Sequence, residues 1–199
     1  MKYKTTTGNT KVLLATLVAF SSHSILAQSI SERLNLPEWT RDLSASIGYT
    51  TDTIDIENTP VEDINSQGVS VEVANSYKLP NGFLTQSALG IKLTDADEEI
   101  VNVDNKMIGL TQRIIYPTVL GNGYLMPSLG LGAHVGGLEY FENSEDQNYF
   151  LINAEAKVSY NTTEGVAPYI KYSYGIGDLE DTSNELELSS LSAGVSVVF

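Results

Sequence analysis

His134 is the one histidine beyond residue 27, and the chain contains no cysteine. A lone imidazole on an alternating stretch is more often a hydrogen-bonded filler than a base. No serine or acid stands at a spacing that demands a triad around it. Without cysteine there is no thiolate nucleophile, no thiolate metal site and no disulfide framework. The run Asp95-Ala96-Asp97-Glu98-Glu99 begins like a calcium loop, but its sixth place is Ile100 and its twelfth is Lys106. That pattern needs a glycine and a glutamate there, so the match fails. These residues predict a protein that is not an enzyme and uses no cofactor, and they assign no metal.

Two sets of charges remain. Glu72, Lys92, Arg113, Glu155, Lys157 and Lys171 each fall on the polar side of an alternating segment. Acids and bases on such faces can satisfy one another across an enclosed space. A narrow ion path lined by a basic excess is the competing use. The second set is acidic. Asp52 to Asp63, Asp95 to Asp104, Glu139 to Asp146 and Asp178 to Glu185 carry acids with no lysine or arginine between them. A solvated rim or a divalent-cation surface would use them. The whole chain has 25 acidic and 11 basic residues, a formal charge of -14. Phosphate backbones need a basic surface, so nucleic acid is excluded as a partner.

The first 27 residues read as an export signal. Lys2, Lys4 and Lys11 precede the apolar run Val12–Phe20, and Ile25-Leu26-Ala27 offers a cleavage site. The run is far shorter than the ~20 residues of a spanning helix. Removing three lysines and no acids takes the formal charge from -14 to -17. Residues 28–40 form a mixed lead-in, broken by Pro37 and holding the only tryptophan, Trp39.

From residue 41 to residue 199 a period of two recurs. Eight segments carry it, near 41–50, 68–78, 83–93, 106–116, 124–135, 149–160, 166–176 and 187–199. Each has one apolar face and one polar or small face. The second segment sets Val69, Val71, Val73 and Tyr77 against Ser70, Glu72, Ala74 and Ser76. A soluble barrel would bury the apolar face, whereas a membrane barrel turns it to lipid. Segments of ten or more residues exceed the usual ~5–6 of soluble strands and match the ~9–11 of tilted membrane strands. Links alternate between short turns (LPNG, PTVLGNG, NTTEG) and long acidic stretches. Aromatic residues collect at segment ends. Tyr77, Phe83, Tyr116 and Tyr160 lie toward the short turns and Tyr174 toward the long links. In 106–116 the parity that keeps Arg113 out of lipid also turns Gln112 outward. Pro127 and Pro168 fall inside segments, which predicts a bulge or a frayed pair near each. The fold expected is all-β, an eight-stranded antiparallel up-and-down transmembrane β-barrel. A soluble lipocalin-like barrel is the rival.

The last ten residues, SLSAGVSVVF, alternate Leu191, Ala193, Val195 and Val197 and end in Phe199. With the export signal and the eight segments, this ending resembles the small outer-membrane barrels of Gram-negative bacteria, of the OmpX and OmpA-transmembrane kinds. The likeness spans residues 41–199 and is architectural. It implies residence in the bacterial outer membrane, contact with its lipid and lipopolysaccharide, and recognition of Phe199 by the barrel-assembly machinery. It also implies that the long acidic links face outside the cell, where a solvated rim needs no ligand and the divalent-cation reading of the acids would include bridging to lipopolysaccharide phosphates. Outer-membrane lipid A deacylases carry His-x-Ser, but Gly136 stands two residues after His134. Palmitoyl-transferring barrels pair a loop histidine with a short N-terminal helix, which keeps a lipid-modifying enzyme as the weakest reading. The functional expectation is a structural or surface-interaction role, in envelope integrity or adhesion. A porin-like narrow pore or a solute-binding barrel is the alternative.

Overall fold

Strict alternation gives each strand two unlike faces, and a closed ring is the arrangement that separates them completely. The computed structural model describes residues 43–57, 64–79, 82–97, 102–140, 147–162, 165–180 and 184–199. The export signal and the 28–40 lead-in lie outside the described residues. The strands are β1 (Leu43–Ile56), β2 (Ile64–Lys78), β3 (Leu84–Asp97), β4 (Asn102–Ile115), β5 (Thr118–Leu120), β6 (Gly123–Tyr140), β7 (Gln147–Asn161), β8 (Val166–Leu179) and β9 (Glu185–Val198). Neighbours pair antiparallel in chain order, β1 also pairs with β9, and β4 pairs with β6. Eight long strands therefore close a ring, as the sequence predicts, and no sheet edge remains along its wall.

The predicted parity holds in all eight. Ile47, Val71, Ile91, Ile108, Leu131, Ile152, Ile170 and Leu191 point outward and are exposed, while Ser46, Glu72, Lys92, Arg113, Asn153 and Ser192 point inward and are buried. An uncovered apolar belt around a closed ring is far larger than a soluble monomer tolerates. Hydrocarbon covers it in a membrane barrel, and the soluble lipocalin-like rival falls on this point.

The strands run further than the sequence reading placed them. β1 continues to Ile56, β3 to Asp97 and β6 to Tyr140. In this loop-side extension the polarity is inverted. Thr53, Asp55, Asn65 and Gln67 face out, while Ile54, Ile56, Ile64, Val103, Leu138, Leu151, Leu179, Leu186 and Leu188 pack together inside the ring. A strand in water needs its apolar side inward, so the alternation changes phase where the belt ends. Part of the stretch expected as acidic loop is thus barrel wall, and Asp52 is an inward, buried residue rather than part of the rim.

The short-turn side also differs. The link 117–123 is not a simple turn: β5 continues the line of β4 past Pro117 and pairs with the start of β6. The ladder between β3 and β4 stops at Leu84 and Ile115. A two-stranded ribbon therefore projects below the ring, turning at Gly121, whose φ of 60° lies in the left-handed region that glycine tolerates. Of the bulge or frayed pair expected near Pro127 and Pro168, it is the frayed pair that occurs: register runs unbroken through both on one side, and the ladder on the other side stops short of each. Each lies one residue beyond the last pair of a ladder, at Ser128–Ile115 and Tyr169–Ser159. At Pro127 the Tyr116 amide still donates to the proline carbonyl at 3.0 Å, so one bond of that pair survives.

Gln112 does point outward. Its amide donates to Thr85 Oγ1, and its Oε1 accepts from Ser87 Oγ at 2.7 Å. Local bonding of this kind lowers the cost of an amide facing lipid. Inside, large side chains lie over glycines of neighbouring strands. Tyr169, Gly194 and Gly48 share one cross-strand row, and a Cβ at Gly48 would collide with the Tyr169 hydroxyl.

Candidate functional site

The six charges expected inside the barrel do face inward, but they form two groups rather than one. The middle group is built on Arg113 of β4. Its Nη1 donates to Glu72 Oε1 (2.6 Å) and Gln86 Oε1 (2.9 Å), its Nη2 to Glu72 Oε2, and its Nε to Glu155 Oε1. The planar guanidinium matches a carboxylate with two parallel bonds, which a lysine cannot do. Lys157 Nζ donates to Glu72 Oε1 (3.2 Å) and sits 4.4 Å from the centre of the Tyr169 ring. Lys171 Nζ lies 3.6 Å from Glu72 Oε2. Lys157 and Lys171 are cross-strand partners, so their like charges need the acid between them. Glu72 is the hub: three cations converge on it from β4, β7 and β8.

Lys92 belongs to the second group, one level nearer the loop end. Its Nζ lies 2.8 Å from Asp52 Oδ2 and donates to Ser190 Oγ at 2.8 Å. Thr94 Oγ1 (3.1 Å) and Asn105 Nδ2 (3.4 Å) also donate to Asp52 Oδ2, and the Tyr149 hydroxyl donates to Asn105 Oδ1 at 2.7 Å. Asp52, Thr94, Asn105 and Tyr149 are the members that sequence reasoning missed. The available signal was parity, since Asp52 continues the inward row of Gly48 and Thr50.

Between the groups is a cavity of about 40 Å³ lined by Lys92, Lys171, His134, Asn153 and Ser190 among others. That is room for two or three waters, not a solute. His134 Nε2 lies 2.9 Å from Asn153 Oδ1, and the ring packs over Gly109. Above the Asp52 group stands the apolar cluster of the extension, with Met107 packed beneath it. At the opposite end a vestibule of about 40 Å³ opens between Ser44, Ser76, Ile115, Met126 and Lys157. The axis of the barrel is thus crossed by a charged layer, a hydrogen-bonded layer and an apolar layer in turn. Each of these two cavities has room for no more than a small water cluster.

The other singled-out residues lie on the outer surface. The rings of Phe83 and Tyr116 meet at 5.1 Å between centroids, and the Tyr160 hydroxyl donates to the Leu120 carbonyl at 3.1 Å. The Tyr77 hydroxyl accepts from Asn75 Nδ2 at 2.6 Å. Tyr174 stands at the loop-side border, donating to Glu187 Oε2 at 2.8 Å. The Phe199 amide donates to the Leu43 carbonyl at 2.9 Å, and its ring is exposed.

No known family model matches the chain, and no curated protein does. Solved structures do. Neisserial surface protein A is 18% identical, with a TM-score of 0.54, covering 79% of this chain and 97% of its own. The attachment invasion locus protein Ail of Yersinia pestis is 18% identical, with a TM-score of 0.48, over 78% of this chain and 98% of its own. OprG of Pseudomonas aeruginosa is 12% identical, with a TM-score of 0.48, over 80% of this chain and 96% of its own. At such identities the likeness is one of fold, and the neisserial match carries it. The outer-membrane location expected from the sequence agrees with that fold. By its closed ring, its outward apolar belt and this match, the chain has the fold of the small eight-stranded bacterial outer-membrane barrels.

Proposed function

We propose that the chain is a non-conducting, non-enzymatic barrel of the outer membrane that acts through the surface at its loop end, in envelope integrity or adhesion. The observation that carries this reading is the blocked lumen. The Arg113 group fills its middle, and the apolar cluster fills its loop end. A pore needs a continuous wet path, and a solute site needs a cavity of several hundred Å³. The outer surface above the belt is acidic. Asp95, Asp104 and Glu139 are successive cross-strand partners, and Asp55 is opposite Glu187. Lined up at the height of lipid headgroups, these acids suit divalent cations shared with lipopolysaccharide phosphates. Phe199 and the belt suit handling by the barrel-assembly machinery.

Planar-bilayer recording of the purified protein tests the core of this reading, with no conductance steps expected. Regular steps would restore the narrow-pore alternative. For the surface role, cells lacking the protein should become more sensitive to chelator or lose attachment. Rescue should fail with Asp55→Asn, Asp95→Asn, Asp104→Asn and Glu187→Gln combined. Full rescue by that variant would remove the acids from the mechanism.

A further inference from the structure

The two charged groups inside the ring do not balance. Lys92, Arg113, Lys157 and Lys171 supply four cations, and Asp52, Glu72 and Glu155 supply three acids. The surplus falls on Lys171. Arg113 holds both oxygens of Glu72 and one of Glu155, and Lys157 adds a hydrogen bond to Glu72. Lys171 Nζ stays 3.6 Å from Glu72 Oε2, an ion contact too long for a hydrogen bond, and its cross-strand partner Lys157 repels it. A buried charge short of its counter-charge is among the costliest things a low-dielectric interior can hold.

The cavity of about 40 Å³ between the groups lies where the surplus is, bordered by both Lys171 and Lys92. Lys92 Nζ uses one N–H on Asp52 and one on Ser190, which leaves a third. Two further residues of the lining carry unsatisfied atoms. His134 Nδ1 and Ser70 Oγ have no hydrogen-bond partner among the described residues, although Ser70 stands beside the Tyr169 hydroxyl. His134 is 8% exposed and Ser70 7%, a depth at which polar atoms are almost always paired. Glu72 and Glu155 border the cavity too, but their charge is turned to Arg113.

We propose that this cavity is a site for one monatomic anion of the size of chloride, held by the ammonium groups of Lys171 and Lys92 and by the Ser70 hydroxyl. A solute molecule does not fit, but such an ion is close to a water molecule in size. It takes the place of one water and leaves room for another, which donates to His134 Nδ1. The ion makes the charge count even. It is resident between two closed layers, so the site goes beyond the blocked lumen without reopening it.

The full mature protein, refolded in phosphatidylcholine vesicles in chloride or in gluconate at one ionic strength and neutral pH, tests it. Gluconate is too large for the cavity. The urea midpoint, read by heat-modifiable gel mobility, should be higher in chloride and should climb with the logarithm of its concentration once the site is mostly filled. Lys171→Met keeps a long side chain without the charge. It should lose the chloride dependence, and in gluconate it should unfold at no lower urea than the unsubstituted protein. Lys106→Met, on the exposed outer wall, should keep the dependence. Should Lys171→Met fail to fold, crystals of the unsubstituted protein grown in sodium bromide decide, with an anomalous bromide peak expected in contact with Lys171 Nζ. Equal midpoints in the two salts, the result if Lys171 simply gives up its proton, would overturn the proposal. So would a chloride dependence that survives in Lys171→Met, or bromide found on the outer surface while the cavity holds water alone.

Discussion

Glu72 carries more of the lumen than any other side chain, because three cations share its carboxylate. Removing one partner from a buried charge network costs about 3–5 kcal/mol, since the remaining charges stay desolvated. Glu72→Gln should therefore lower the urea midpoint of the vesicle-embedded barrel substantially. Glu155→Gln, which touches Arg113 alone in the salt-bridge pattern, should lower it less. Equal effects would mean that the network does not centre on Glu72. Glycine gives a second contrast. A Cβ at Gly48 meets the Tyr169 hydroxyl, whereas at Gly90 its nearest contact is the Val71 carbonyl oxygen at 3.7 Å. Gly48→Ala should cost about 1–3 kcal/mol by overpacking, while Gly90→Ala should be neutral or slightly stabilising in the same unfolding measurement. At this scale the inward charges were legible, because parity alone decides which way Arg113 points. Which acid meets which base was not legible. That depends on the stagger between strands, and a period of two says nothing about stagger.

At the scale of elements, the same strand serves two solvents. Leu151 lies in the apolar cluster at 1% exposure, and Ile152 beside it faces outward at 50%. Leu151→Ala should cost about 2–5 kcal/mol, because a cavity is left in a packed core. Ile152→Ala should cost well under half of that, since lipid chains refill the gap. Chemical denaturation of both variants in one lipid settles the comparison. The middle of each strand was legible from composition, because hydrocarbon outside and polar groups inside leave a plain alternation. The loop-side ends were misread for a physical reason. From Asp52 to Ile56 the apolar residues change sides, and a reading that follows one apolar face sees the strand stop there. The ribbon of β5 was missed because Pro117, Gly121 and Gly123 make its stretch look like a turn.

The whole molecule concentrates negative charge at one end of its axis. Directly opposed acids on paired strands repel, and each such pair costs a few tenths of a kcal/mol up to ~1 kcal/mol. Asp104 faces Asp95 on one side and Glu139 on the other. Asp104→Asn should therefore raise the melting temperature at low ionic strength. The gain should vanish near 1 M salt, where the screening length falls to about 3 Å. A gain independent of salt would show that repulsion is not its source. That the molecule is a barrel with an acidic end was legible from the sequence. The acids on the outer wall, as opposed to those in loops, became visible only with the register.

The reversal of polarity along the strands also bears on how such a chain reaches its place. Residues on the outside of the loop-side extension shun oil, so a chain entering the bilayer from its short-turn side would have to carry that portion across the hydrocarbon layer before the bilayer settled around the belt. Its greasy lining cannot assemble while the eight segments are still crossing, since only the closed ring brings Ile54, Leu151 and Leu186 together. On that route the loop-side core would seal last. Once sealed it would act as a ratchet: withdrawal would require that core to come apart and its water-loving exterior to re-enter the membrane at the same time.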